Sequence, residues 1–382
     1  MLMSDQRAGL YIHVPFCSAV CPYCDFAVEV GRADKRAAYV DALVAEARLC
    51  VDWTHPIDTV YFGGGTPSLL TFEQLSHLLA QLRQCLPIDP MATVFLEANP
   101  EDVSPDTAAS WHNLGVRYLS LGVQSFDADE LRTLGRRHTP EQAVRAVQDC
   151  MASGFDTVSV DLMFGLPGQL PERWQRSLQT VVALGPPHVS CYQLTVHEGT
   201  TFGRWRDRGK LVELPEEGQA DLFDMTHHVL AQGGWCAYEV SNFARAVEHQ
   251  SAHNMKYWSH TPYLGLGPSA HSFDGNSRWW NERSYGQYAA SLKTGRRPVD
   301  GVEMLTNTER ALETVMLRLR TADGIDLVRF ERDFGVDLVG RNRAYIDASV
   351  EDGLLEVSAG RLRPTLDGLA VADGMAAALR LD

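Results

Sequence analysis

Along the first 236 residues, apolar positions alternate between two periods. Runs rich in Val, Ile, Tyr and Phe at 9–15, 57–62, 93–98, 117–123, 157–163 and 188–194 read as buried strands. The stretches 34–51, 71–85, 104–113, 140–153, 171–183 and 215–232 instead space apolar residues three and four apart, the period of a helix with one buried face. Ser104 and Thr139 stand where N-caps belong, their hydroxyls available to amides that the first turn leaves unpaired. Six strand–helix pairs in alternation predict an α/β fold, with a parallel sheet and helices outside it. Right-handed crossovers curl such a sheet into an open, partial (β/α)6 barrel of the TIM type. Six units rather than eight leave a lateral gap, open to a large flat ligand or to closure by the rest of the chain.

The polar and Gly-rich segments GGGTPS, NPEDV, QSFD and FGLPG each follow a strand, where ligand-binding loops of βα barrels lie. From 237 to 304 the pattern turns aromatic and irregular, which predicts a segment that packs across the barrel 1–236 and lines or closes it. A third part, 305–382, opens with a new helical run and ends in LLEVSAGRLRPT, a hairpin turning near Ala359-Gly360. Helices followed by a small hairpin predict a winged-helix-like module. No solenoid-type repeat is visible.

Composition narrows the class. Apolar residues make up 45% and charged residues 22% of 382 positions, which is globular, and the length accommodates two or three domains. The formal charge of −15 argues against nucleic acid as a partner, because that binding needs Lys and Arg to displace counterions. It also favours a docking or lid role over DNA binding for the C-terminal module. No apolar run reaches the ~18 residues of a membrane span, and the N-terminus lacks a secretory pattern. A reducing cytoplasm is the expected location. There, clustered thiols signal metal or redox chemistry and isolated ones are small apolar fillers.

Three of the eight cysteines are clustered: Cys17, Cys21 and Cys24, spaced C-x3-C-x2-C directly after the first strand. Three thiolates on one tight loop can hold three corners of an iron–sulfur cube, and without a fourth cysteine nearby one iron stays open to an outside ligand. Zinc with His13 as fourth ligand, a redox pair at Cys21 and Cys24, and chance clustering are the competing readings.

C-x3-C-x2-C at the first strand of a βα barrel resembles the radical S-adenosylmethionine (SAM) superfamily. The resemblance implies a 4Fe-4S cluster on Cys17, Cys21 and Cys24, with SAM bound through its amine and carboxylate to the open iron. It also implies a capacity in principle to cleave SAM reductively. The motifs YIHVPFC, YFGGGTPSLL, LEANPE, GVQSF, LGRRH and DLMFGLPGQ are similar to those of the oxygen-independent coproporphyrinogen III oxidase-like family. Carried over, SAM would be contacted by Tyr11, Gly64, Gly65, Thr66, Glu97, Gln124, Arg136 and Asp161.

Two departures count against porphyrinogen decarboxylation. The oxidases of that family carry an additional cysteine where this chain has Phe26, and they have a longer N-terminal extension than precedes Cys17 here. The Asp25-Phe26 sequence and the stretch His253-Asn254-Met255-Lys256-Tyr257-Trp258 instead resemble the HemW group of heme chaperones. That resemblance implies heme binding, with His253 as the ligand, and transient delivery to heme-accepting respiratory proteins. Imidazole is a common axial ligand and aromatic rings pack against a flat macrocycle. Met255, His249, His260 and His271 are alternative ligands. The basic run from Arg204 to Lys210 is either a partner for heme propionates or a solvated helix end. A radical SAM enzyme acting on a tetrapyrrole, or a methyltransferase on the same scaffold, is the alternative function. The sequence leaves oligomeric state open.

Overall fold

The computed structural model describes residues 7–31 and 33–381. All six expected strands form: β1 (Ala8–Val14), β2 (Ile57–Gly64), β3 (Ile88–Ala98), β4 (Val116–Gln124), β5 (Thr157–Phe164) and β6 (His188–Gln193). They pair in parallel in chain order. The six helices also form: α1 (Ala33–Leu49), α2 (Phe72–Cys85), α3 (Pro105–Leu114), α4 (Pro140–Ala152), α5 (Pro171–Leu184) and α6 (Glu216–Gln232). Ser104 and Thr139 are N-caps with reciprocal bonds to Thr107 and Gln142. Such a box satisfies two amides that would otherwise lack partners.

The aromatic segment continues the sheet at both edges. Strand β7 (Asn242–Ala244) lies antiparallel to β6, and β8 (Tyr263–Leu266) lies parallel to β1. Strands β9 (His271–Phe273), β10 (Ser277–Asn281) and β11 (Val299–Met304) extend that edge as an antiparallel meander. Between the two additions, α7 (Ala252–Trp258) packs on the inner side of β1 and β2. The fold is therefore the expected partial barrel, with an interior filled from a segment remote in sequence.

One hydrophobic cluster joins the barrel strands to their helices. A separate one, including Val315, Phe330, Ile346 and Leu362, supports the C-terminal module. The hairpin Leu355–Ser358 and Arg361–Pro364 turns at Ala359 and Gly360, both left-handed at φ 50° and 73°. A third strand, Ile325–Asp326, completes its sheet, which periodicity in two residues cannot announce. The module is bonded to the barrel through Val240 N–H to Arg320 C=O (2.9 Å) and Ala322 N–H to Tyr238 C=O (3.0 Å). No helix among the described residues is long and apolar enough to cross a membrane.

Candidate functional site

Side chains two apart on a strand share a face, and that rule builds the site. Tyr61; Glu97; Tyr118, Ser120, Gly122 and Gln124; Ser159 and Asp161; and His188, Ser190 and Tyr192 point from successive strands into one cavity of about 540 Å3. The loops after β1 and β2 form its rim: all three clustered cysteines, Gly64, Gly65 and Thr66 border it. Arg136 and Arg137 from the LGRRH turn complete the wall.

The cysteine loop is short and folded on itself, with Cys24 N–H donating to Cys21 C=O at 3.1 Å. Cys17 is buried and accepts from the Thr66 hydroxyl at 3.6 Å, while Cys21 accepts from Arg136 at 3.8 Å. Burial raises the Cys17 thiol above its ordinary range and pushes Cys24 up to about 11. Both are therefore neutral without a metal, and a bound iron would favour the thiolate. His13 has both ring nitrogens occupied, by Ala27 C=O at 2.9 Å and the Tyr11 hydroxyl at 3.1 Å. Among the described residues no three His, Cys, Asp or Glu side chains converge on a single-ion position. The three thiols border one void.

The glycines after β2 are required by proximity. A Cβ on Gly65 would stand 2.8 Å from Phe16 C=O, 2.9 Å from Val14 C=O and 3.0 Å from the Cys17 sulfur. Gly64 is left-handed at φ 109° and donates to Glu97 Oε2 at 3.1 Å. The Tyr61 hydroxyl donates to Glu97 Oε1 at 2.8 Å. Desolvation nevertheless pushes the Glu97 carboxyl up to about 7.

Arg136 donates to Asn99 Oδ1 and to Gly122 C=O (2.7 Å), yet its buried Nε has no partner among the described residues. Arg136 borders the cavity, and a guanidinium there suits a carboxylate ligand. Neighbouring His138 anchors this turn, bonding Val123 C=O at 3.0 Å and Glu101 at 3.2 Å. Gln124 ends β4 in the left-handed region at φ 68°, an uncommon conformation for a side-chain-bearing residue. Asp161 accepts from Ser120 (2.9 and 2.7 Å) and Ser159 (3.0 Å), while burial raises its carboxyl.

The sequence profile of the Radical SAM superfamily matches residues 11–181, and that of the HemN C-terminal domain matches 305–371. Heme chaperone HemW of Mycobacterium tuberculosis is 36% identical over 381 residues, covering 98% of this chain and 95% of that protein. The chain belongs to the HemW family of radical SAM proteins. Heme chaperone HemW of Bacillus subtilis is 33% identical, over 91% of this chain and 92% of its own length. The Escherichia coli coproporphyrinogen III oxidase HemN superimposes with a TM-score of 0.84 over 98% of this chain and 90% of its own, at 23% identity. That likeness concerns the fold.

Ten of the twelve residues singled out from this HemW-family sequence border the large cavity: Cys17, Cys21, Cys24, Gly64, Gly65, Thr66, Glu97, Gln124, Arg136 and Asp161. Tyr11 and His253 do not. Tyr11 borders a second cavity instead. His253 is 1% exposed, stacks on Tyr61 at 4.9 Å, and bonds Thr59 Oγ1 and the Tyr257 hydroxyl, each at 2.9 Å. Both His253 nitrogens are thus engaged, and the residue borders neither cavity. The basic run is solvated: Arg206 pairs with Asp207 and Glu213, and Arg204 bonds Gly199 C=O at 2.6 Å. Sequence reasoning missed Asn99, Tyr61, His188 and the serine ring around Asp161. The ring had a signal, since Ser120, Ser159 and Ser190 are polar positions inside otherwise apolar strands.

Proposed function

We propose that this chain is a radical SAM heme chaperone that holds a 4Fe-4S cluster and SAM in the large cavity, binds heme, and passes it to respiratory proteins by transient docking. The observation that carries the cluster and SAM assignment is the joining of three thiols, the glycine loop and the Arg136 guanidinium around one void. The heme assignment is supported by relatives named heme chaperones that match almost the whole chain. A reducing, cytoplasmic location agrees with eight cysteines that are all unpaired.

Cys17, Cys21 and Cys24 would hold the cluster. Once bound, it would supply an iron position open to SAM and a source of electrons for reductive cleavage. The remaining roles belong to this chain's own groups. Gly64, Gly65 and Thr66 let the ligand approach the backbone closely. Arg136 would pair a carboxylate, and Glu97 or Asp161 would accept from an amine or a ribose hydroxyl. Phe26, 62% exposed at the rim, leaves the family oxidases' additional thiol position without chemistry.

The test is anoxic reconstitution of the full chain followed by iron, SAM and hemin titrations on one sample. About four irons per chain are expected, lost in Cys24→Ser, together with about one heme. Incubation with coproporphyrinogen III should yield no protoporphyrinogen. Formation of that product with stoichiometric 5′-deoxyadenosine would transfer the assignment to an oxidase, and failure to take up either iron or heme would overturn the proposal.

A further inference from the structure

His188 opens β6 and borders the large cavity, and both of its ring nitrogens are engaged. Nδ1 lies 2.8 Å from Ser159 Oγ, and Nε2 lies 2.8 Å from the Tyr238 hydroxyl. Ser159 in turn donates to Asp161 Oδ1 at 3.0 Å, and the Tyr238 oxygen accepts from the Ser251 amide at 3.1 Å. Ser251 is the N-cap of α7, the helix of the HNMKYW stretch. These contacts form one continuous line from a carboxylate of the large cavity to the start of that helix. Ser159, His188, Tyr238 and Ser251 are all buried. Hydrogen bonds so shielded from water are stronger, and a member left without its partner is costly.

Donor and acceptor chemistry gives the line a direction. A backbone N–H only donates, so Ser251 feeds the Tyr238 oxygen. An ionised carboxylate only accepts, so Ser159 directs its single hydrogen to Asp161. The Ser159 oxygen must then accept from His188, which places the ring hydrogen on Nδ1. Ser190 Oγ, 3.3 Å from Ser159 Oγ, is a donor to it for the same reason. Burial keeps the imidazole neutral, with its pKa lowered to about 3. Nε2 therefore carries a lone pair and accepts from the Tyr238 hydroxyl.

We infer that His188 is a positioning residue for the SAM site: its Nδ1–H holds Ser159 as a donor to Asp161, while Tyr238, anchored at the N-terminus of α7, holds the ring. This rests on the reading in which Asp161 accepts from SAM. Ser159 occupies Oδ1, and Ser120 shares its one hydrogen between Oδ1 at 2.9 Å and Oδ2 at 2.7 Å. Oδ2 thereby keeps a lone pair for an amine or a ribose hydroxyl. Without the imidazole donor, Ser159 can turn its hydrogen to Ser190, and the carboxylate loses a bond that fixes its plane.

The experiment titrates SAM by calorimetry into the reconstituted full chain, with iron content and circular dichroism measured on every sample. Wild type is compared with His188→Leu, His188→Asn, Tyr238→Phe, Asp161→Ala and the double variant of His188→Leu with Asp161→Ala. His188→Leu should weaken SAM roughly fivefold or more, the scale of one buried hydrogen bond. Asn places an amide N–H near the Nδ1 position, so His188→Asn should recover most of that loss although it fills less space. Tyr238→Phe removes one hydroxyl with little change in packing, and its affinity should fall between wild type and His188→Leu. In the Asp161→Ala background, His188→Leu should cost little more, because both act on one carboxylate. Wild-type affinity in both His188→Leu and Tyr238→Phe would overturn the positioning role and leave the SAM reading intact. So would His188→Asn binding no better than His188→Leu, or penalties that add in full in the double variant. A reconstituted wild type that binds no SAM would overturn both.

Discussion

Glu97 accepts from the Tyr61 hydroxyl and the Gly64 amide, and desolvation still holds its carboxyl near 7. A cationic amine in the cavity would oppose that desolvation, so SAM affinity should rise as pH passes from 6 to 8. Glu97→Gln should flatten this dependence and weaken SAM roughly tenfold or more, the worth of about 1.5–3 kcal/mol for a charged hydrogen bond. Calorimetric titration at the two pH values checks both effects. At Gly65 the constraint is steric, because the carbonyls a Cβ would meet belong to the strand end and the cysteine loop itself. Gly65→Ala should therefore fold but retain well under the wild-type iron after reconstitution, read by iron analysis beside circular dichroism.

At the scale of elements, the aromatic segment is tied to α1 by a buried carboxylate. Glu46, 2% exposed, accepts from Gly267 N–H (2.8 Å), the Tyr288 hydroxyl (2.6 Å) and the Asn281 amide (2.5 Å). Three donors from β10, α8 (Tyr285–Lys293) and the loop after β8 thus meet one side chain of the barrel's first helix. Glu46→Ala would leave all three unsatisfied and should cost about 3 kcal/mol or more, measured by denaturant unfolding. The α7 stretch shows the same principle. His253 and Tyr257 stand one turn apart, so a single helix turn carries one ring under Tyr61 and the other to the second cavity.

At the scale of the whole molecule, burial sets the pH response. Glu46, Glu97 and Glu239 are each pushed up to about 7 by desolvation, from an ordinary value of 4.5. Each folded carboxyl therefore keeps its proton where the unfolded one has lost it. Their contribution to stability is full below pH 4.5 and declines as pH rises through 7. The thermal midpoint of the apo protein should fall across that window, with Glu239→Gln removing part of the slope. The two cavities are also a property of the whole, since each combines the barrel's own strands with residues beyond 237.

The six strands and six helices were legible in the sequence because apolar period and capping residues are local signals. The cluster and glycine motifs were legible because close backbone approach and three thiols on one loop leave few chemical options. The gathering of Glu97, Gln124 and Asp161 followed from their places on successive strands of a parallel sheet, with Arg136 on the turn that follows β4 and its short helix. The fate of His253 was not legible: a histidine among aromatics reads the same whether its nitrogens are open or bonded. In the fold Thr59 and Tyr257 engage its nitrogens, and Thr59 lies on a strand nearly two hundred residues away. The pairing of β8 with β1, which builds the second cavity, is likewise long-range. Sequence alone determined which groups could do chemistry; the tertiary structure decided which of them still have a free lone pair, because hydrogen bonding and burial are settled by neighbours that only folding supplies.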